Sequence, residues 1–343
     1  DMKAEDGYRL WLRYRPLDAD LQDVYAPFLN GIHVPQQTAT MKAAIGELKR
    51  AAEDLTGLSP GMCSLSEVEH YGGIIAGTWE ERAVRKEFTK NERAQASNQG
   101  FLIKSNGNRI CIGGKTDKGV LYGVFHLLRL IQTGQCINNL NVVENPAYDL
   151  RILNHWDNPD RSVERGYAGL SLWEWEQLPD SVSTRYHDYA RACASLGINA
   201  TVLNNVNADA CFLTPGYLRK IAVLADVFRP YNLKVFLSVN FSSPEILGGL
   251  PTSDPLDPEV NRWWKEKVRE IYKYIPDFGG FLVKANSEGR SGPLDFDRTH
   301  ADGANMLARA VEPYGGLVMW RAFVYSPGSD DRAKQAYEEF MPL

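Results

Sequence analysis

Residues 278 to 293, FGGFLVKANSEGRSGP, set an apolar run directly against a cluster of charge and glycine. Gly279 to Val283 reads as a buried strand; Lys284, Asn286, Ser287, Glu288, Gly289 and Gly292 follow at once. Glu288, flanked by Ser287 and Gly289, reaches a cleft with little steric cover. Breaking a glycosidic bond takes one carboxyl to protonate the leaving oxygen and a second to act as base or nucleophile. Lys284 on the same strand end, and Arg321 from VMWRAFVY (318–325), are cations suited to a carboxylate on the substrate. The planar fork of arginine matches a carboxylate bidentately. Each residue also has a plainer role. A loop glutamate is usually solvated, and Lys284 and Arg321 can form ion pairs that close an interior. Trp156 and Trp320 can be packing, and Asp157 can cap a turn.

Other chemistries find little support. The sequence has no GxSxG elbow, no metal-ligand cluster and no recognisable Cys/His pair, so no metal and no cofactor is expected. Five cysteines at 63, 111, 136, 193 and 211 lack CxxC spacing, and an odd count cannot pair completely, so buried free thiols are expected. Gly113-Gly114-Lys115-Thr116 lacks the GxxxxGK[ST] spacing of a phosphate loop. The net charge of -5 leaves no basic footprint for nucleic acid, and no apolar run approaches the roughly 18 residues of a membrane span. Eight Trp and sixteen Tyr are a heavy aromatic load, and rings at strand ends stack on sugar faces. The start at Asp1 rather than Met fits a removed leader and leaves a periplasmic or secreted location open beside a cytoplasmic one.

The elements that position these groups fall into two patterns. In residues 1–147, DGYRLWLRYR (6–15) alternates like a half-buried strand, and residues 40–55 have helical spacing stopped by Gly57. GGIIAGTW (72–79) is a strand, FLIKSNGNRICIGG (101–114) a hairpin around Asn106-Gly107, and 119–132 a second helix. This predicts a small α+β domain with an antiparallel sheet and two helices. His126, on the apolar helix, reads as a core histidine rather than a ligand. From residue 148, strands at 148–158, 198–207, 233–241, 278–286 and 315–325 alternate with helices near 181–196, from Pro215 to before Pro230, from Asp257-Pro258 through Ile271, and near 301–311.

Near-continuous apolar strands alternating with helices predict a parallel sheet covered on both faces, either doubly wound or a barrel. The first strand lacks a GxGxxG turn, and every strand ends in polar residues: Asn154 to Asn158, Asn204-Asn205, Asn240, Lys284 with Glu288, and Arg321. Polar tips on one rim favour a (β/α)8 TIM barrel, whose chemistry sits at that end. The fold class is therefore α/β, an incomplete barrel of about five strands over residues 148–343, preceded by the small α+β domain. At roughly 40 residues per repeat, eight repeats need about 120 residues more than follow residue 148, so the chain reads as part of a longer enzyme.

RILNHWDN (151–158), VERGYAGLSLWEW (163–175), INATVLNNVNA (198–208), GGFLVKANSEG (279–289), THADGANMLA (299–308) and VMWRAFVY resemble the family 67 glycoside hydrolases, the α-glucuronidases. DGYRLWLRY is similar to the start of their N-terminal domain, so the resemblance spans essentially the whole chain. It implies inverting, metal-free removal of α-1,2-linked glucuronic acid or its 4-O-methyl ether from xylooligosaccharides derived from glucuronoxylan. By motif position Glu288 matches the family's general acid. Lys284, Arg321 and Trp156 match residues that contact the uronic acid, and Val206 an apolar wall of the pocket. Asp157 and Asn205, at the first and second strand ends, join them as candidate substrate contacts. The resemblance also implies an acidic pair on later strands as base, a C-terminal helical domain, and a homodimer for the full-length protein. Two other readings remain open: a carbohydrate-binding protein without catalysis, and a retaining hexosaminidase-like barrel, weakened because the fourth strand ends in no adjacent Asp-Glu pair. Since an inverting site needs its second carboxylate roughly 6.5–9.5 Å from the acid, residues 1–343 alone are predicted to be inactive. Hydrolysis of aldouronic acids by this piece at rates near those of a full-length enzyme would refute that.

Overall fold

The computed structural model describes residues 6–321, with 331, 333, 334, 337 and 338 beyond them. Internal contacts divide the chain into two compact units. The first comprises Asp1–Arg151, Asp188–Ile198 and Arg229–Asn232; the second comprises Ile152–His187, Asn199–Phe228 and Leu233–Leu343.

The first unit is a six-stranded sheet of β1 (Gly31–His33), β2 (Gly61–Met62), β3 (Gly73–Thr78), β4 (Phe101–Asn106), β5 (Arg109–Gly114) and β6 (Asn141–Glu144), in the order β2-β1-β3-β5-β4-β6. Side chains alternate between two apolar layers, as the period of two requires. Ile74, Ile103, Ile110 and Ile112 face α1 (Ala39–Thr56) and α2 (Asp117–Gln132), while Ile75, Leu102 and Cys111 pack with Val84 and Phe88. α1 begins at Thr38, whose hydroxyl accepts from Met41 N, and ends at Gly57 in the left-handed region, φ +72°. The hairpin forms, with Gly107 and Asn108 between the paired Asn106 and Arg109.

Two expectations for this unit are corrected. The sheet is mixed: β4 pairs antiparallel with β5 and β6, whereas β1–β2, β1–β3 and β3–β5 are parallel. β1 and β2, three and two residues long, are too short to show a period in the sequence. DGYRLWLRYR is not a strand but contains a 3-10 turn at Leu10–Leu12, with positive φ at Leu10 and Tyr14. Its aromatic residues are claimed by single side-chain bonds. Trp11 Nε1 donates to Ser195 Oγ at 2.8 Å, and the buried Tyr14 hydroxyl donates to Glu47. Arg191 grips the same carboxylate with two bonds of 2.6 and 2.8 Å. Burial, and then the Glu47 charge, push the Tyr14 hydroxyl far above its usual range.

The second unit carries the expected alternation. Five strands, β7 (Ile152–Asn154), β8 (Ala200–Val202), β9 (Lys234–Val239), β10 (Gly280–Val283) and β11 (Leu317–Trp320), are all parallel and lie in chain order. Between them in the chain come α3 (Thr184–Ser195), which from Asp188 onward belongs to the first unit, and α4 (Pro215–Phe228), α5 (Pro258–Tyr274) and α6 (His300–Val311), each within a few residues of its expected position. The expected fifth strand continues past Arg321, and that part lies outside the described residues. α5 shows how sequence sets the packing. Asp257 accepts from Glu259 N and Val260 N, Pro258 fits the first turn, and Val260, Trp264, Val268 and Ile271 form one buried stripe. Trp263 is only half-buried, edge-on to Trp264 at 4.9 Å.

The strand that leads to Glu288 begins on a pair of glycines for steric reasons. Gly280 has φ +129°, and a Cβ there would stand 1.9 Å from Leu317 O on the neighbouring strand. Gly279 lies against the Phe236 ring with no room for a methyl group. Gly280→Ala is expected to cost about 1–3 kcal/mol from backbone strain alone, with the clash added, read as a lower denaturant midpoint.

Candidate active site

In a parallel sheet all strand C-termini share one rim. Trp156 lies two residues beyond β7, and Arg321 directly follows β11; these are the two edge strands of the second sheet. In a flat sheet strands four neighbours apart are about 19 Å from each other, yet the Arg321 guanidinium carbon is 5.7 Å from the Trp156 ring centre. The sheet is therefore curled into part of a barrel, and its curl converges the strand ends.

At the centre of the rim, Lys284 is 4% exposed. Its Nζ donates to Asn207 Oδ1 at 2.8 Å and to Glu288 Oε2. Glu288 is the exposed partner, with about half of its side chain (51%) open to solvent. Its other oxygen, Oε1, takes a 3.0 Å contact from Arg165 Nη2. Lys284 first and Arg165 second hold the Glu288 carboxyl below the usual carboxylate range. Glu288 is ionised in this state, the opposite of what a proton donor needs. The backbone here is strained as well. Glu288 (φ +50°) and Asn286 (φ +48°) sit in the left-handed region without being glycine.

Arg165 and its neighbour Glu164 were not singled out from the sequence, although both lie in the motif VERGYAGLSLWEW. They are presented by the long segment between β7 and α3, anchored by Trp173 and Trp175, both essentially fully buried. Trp173 Nε1 donates to Leu203 O at 3.0 Å, and its ring meets Tyr186 and Phe228. Glu164 (φ +60°) is fixed by its own carbonyl, which accepts from Asn158 Nδ2 at 2.9 Å and Asn205 Nδ2 at 3.0 Å. Its Oε1 lies 3.5 Å from Arg165 Nε, while its Oε2 is buried without a hydrogen-bond partner. The sequence signal for this pair is an acid and a base directly before a glycine, Gly166, after the first strand.

The remaining candidates divide into rim and support. A cleft of about 270 Å³ is lined by Glu164, Arg165, Asn205, Asn207, Glu288 and Arg290. A second cavity of about 560 Å³ shares Asn158, Asn207 and Arg290 with it. Asn205 is buried, and its Oδ1 accepts from Asn207 N at 2.9 Å, which sets the loop carrying the Lys284 partner. Val206 is buried beside it in the chain. Asp157 is buried too: its Oδ2 accepts from Ser171 Oγ at 2.5 Å, its Oδ1 lies 3.6 Å from His155 Nδ1, and its carbonyl accepts from Asn205 N. Glu288, Lys284, Asn205, Trp156 and Arg321 thus end on one rim, with the Asp157 carboxylate bound to the loop that follows β7. Among the described residues, no group of three or more His, Cys, Asp or Glu is placed to hold a metal.

Residues 130–343 match the glycosyl hydrolase family 67 middle domain, and residues 10–127 match the glycosyl hydrolase family 67 N-terminus. The chain belongs to glycosyl hydrolase family 67. Alpha-glucuronidase A of Aspergillus tubingensis is 38% identical over 352 residues, covering 99% of this chain and 41% of that protein. Alpha-glucuronidase A of Emericella nidulans is 38% identical over 368 residues, covering 98% and 41%. The chain therefore spans about two-fifths of the length of these relatives. Among solved structures, a family GH115 4-O-methyl-alpha-glucuronidase with specificity for decorated arabinogalactans superposes with a TM-score of 0.56 at 13% identity, covering 90% of this chain and 43% of that one. The GH20 beta-N-acetylhexosaminidase of Streptomyces coelicolor A3(2) superposes at 0.55 and 12% identity, covering 90% and 68%. At such identities these two likenesses speak for the fold alone.

Because the charged form of Glu288 is the one held, the ion pairs stabilise the fold fully above the ordinary carboxylate pKa. That contribution is lost as pH falls through the depressed value. Lys284→Met is expected to raise the Glu288 pKa toward the ordinary range, and Arg165→Leu to raise it less. Carboxyl carbon NMR titration checks both, and an unmoved Glu288 in Lys284→Met would contradict the assignment.

Proposed function

We propose that the protein is an α-glucuronidase acting on xylooligosaccharides that carry α-1,2-linked glucuronic acid or its 4-O-methyl ether. The observation that carries this reading is the convergence of two cations and a carboxylate on one rim of a family 67 barrel. Lys284 and Arg321 bind the sugar carboxylate, Arg321 through its planar fork. Trp156, already stacked on Arg321, supplies an apolar face beside the ring. Val206 forms an apolar wall, Asn205 and Asp157 hold the loops that shape the pocket, and Glu164 Oε2 offers an acceptor to a sugar hydroxyl.

Glu288 acts as general acid toward the glycosidic oxygen, and inversion requires a base across the ring that activates water. We assign that base to strands following β11. A closed barrel takes eight strands, and among the described residues neither edge strand, β7 or β11, has a second neighbour. A uronic-acid-binding role without catalysis is favoured by one observation, the ion pairs of Glu288 with Lys284 and Arg165, which favour its charged form.

Glu288→Gln in the full-length protein separates the two. Its rate on a natural xylooligosaccharide is expected to fall by about 100-fold or more, and its rate on an aryl α-glucuronide with a good leaving group to fall far less. Equal losses on both substrates would remove Glu288 from the acid role.

A further inference from the structure

The Lys284–Glu288 pair poses a chemical problem for the reading above, since the same ammonium is asked to bind the substrate and meanwhile keeps the acid ionised. We propose that the substrate's own carboxylate arms the acid: an anionic sugar takes over Lys284 Nζ, and Glu288, released from it, takes a proton from solvent. This inference rests on the site binding a uronic acid.

The geometry favours displacement of Glu288 over movement of the lysine. Lys284 is buried at the end of a central strand and is tied to Asn207. Glu288 is half-exposed and stands on the open side of that ammonium. An incoming carboxylate must approach from the side that Glu288 occupies. The backbone around Glu288 is held by its neighbours, since the Asn286 side chain donates to Asp295 Oδ1 at 2.9 Å and accepts from Leu294 N at 3.0 Å, whereas the Glu288 side chain itself is held by Lys284 and Arg165. Asn286, Glu288 and Gly289 all have left-handed φ, the Ser287 hydroxyl is buried without a hydrogen-bond partner, and one isolated bridge joins Ser287 to Arg290. Releasing Glu288 from Lys284 therefore needs only its side chain to turn on a backbone that stays in place.

The charges decide the direction. Lys284 and Arg165 face the two oxygens of Glu288, and Glu164 and Arg290 line the same cleft. When the ligand takes Lys284, Glu288 loses one cation and gains an anion nearby, and Arg165 is already shared with Glu164. Both changes favour the protonated form. The coupling is reciprocal, so protonating Glu288 strengthens binding of the anion. Selectivity against neutral sugars then acts on proton transfer as well as on binding, because a neutral ligand leaves Glu288 paired and ionised.

Calorimetric titration of the protein with glucuronate, in two buffers of different ionisation enthalpy between about pH 4 and 7, where carboxylates titrate, tests this. Net proton uptake on binding is expected in the wild type, none in Glu288→Gln, and undiminished glucuronate affinity in that variant. Binding without proton uptake, or uptake that survives in Glu288→Gln, overturns the inference and leaves the uronic-acid reading standing. No glucuronate binding by the wild type overturns both.

Discussion

A buried ammonium must be compensated or it destabilises the fold, and the loops around Lys284 are arranged to meet that demand. The residue follows β10, which is hydrogen-bonded on both sides, so its position is set by the sheet rather than by solvent. Compensation comes from the loop after β8, through Asn207, and from the segment after β10, through Glu288. Asn207 is in turn placed by Asn205, and Glu288 is also held by Arg165 from the segment after β7. One charge thus ties three of the five strand ends to a common point. The unit offers anions a fixed positive centre whose present occupant belongs to the protein itself.

Much of this unit could be read from the sequence because parallel strands buried on both faces leave unbroken apolar runs, and helices announce their ends through Asp257-Pro258 and Gly197. Polar strand tips followed from the same logic. The opening segment misled because alternation of Tyr8, Leu10, Leu12 and Tyr14 mimics a strand, while only Leu12 and Tyr14 are buried. Alternation reports burial of a face only where a neighbouring strand supplies one. Glu164 and Arg165 were illegible for a different reason. Their loop is held by two buried tryptophans and by the side chains of Asn158, six residues before Glu164, and Asn205, some forty residues after it, and no local period encodes that. Lys284 and Glu288 were legible as neighbours on one strand end, but their ion pair, and the charged form of Glu288 that it favours, needed the burial of one partner and the exposure of the other.

Of the eight non-glycine residues with left-handed φ among the described residues, half lie in the two loops of the candidate site. Arg161, Glu164, Asn286 and Glu288 adopt left-handed conformations without being glycine, and all four lie in the two loops that meet through Arg165. Such conformations cost about 1–3 kcal/mol each and persist only where surrounding contacts over-determine them. For Glu164 those contacts are visible in the two amide donors to its carbonyl. For Glu288 they are chiefly its two ion pairs, so the strain at that residue is held by charge.

The second sheet lists its strands in space in the order in which they occur in the chain. During synthesis, which proceeds from the N-terminus at about 5–20 residues per second, each strand and helix would emerge to find its only earlier neighbour already made. After β7, no strand has to wait for a partner encoded downstream before it can dock on one side. Growth of this kind adds short loop closures one at a time instead of a single long one. The curl that brings Trp156 to Arg321 then waits for the strands between them, so these two ends of the rim meet only after β8, β9 and β10 are in place.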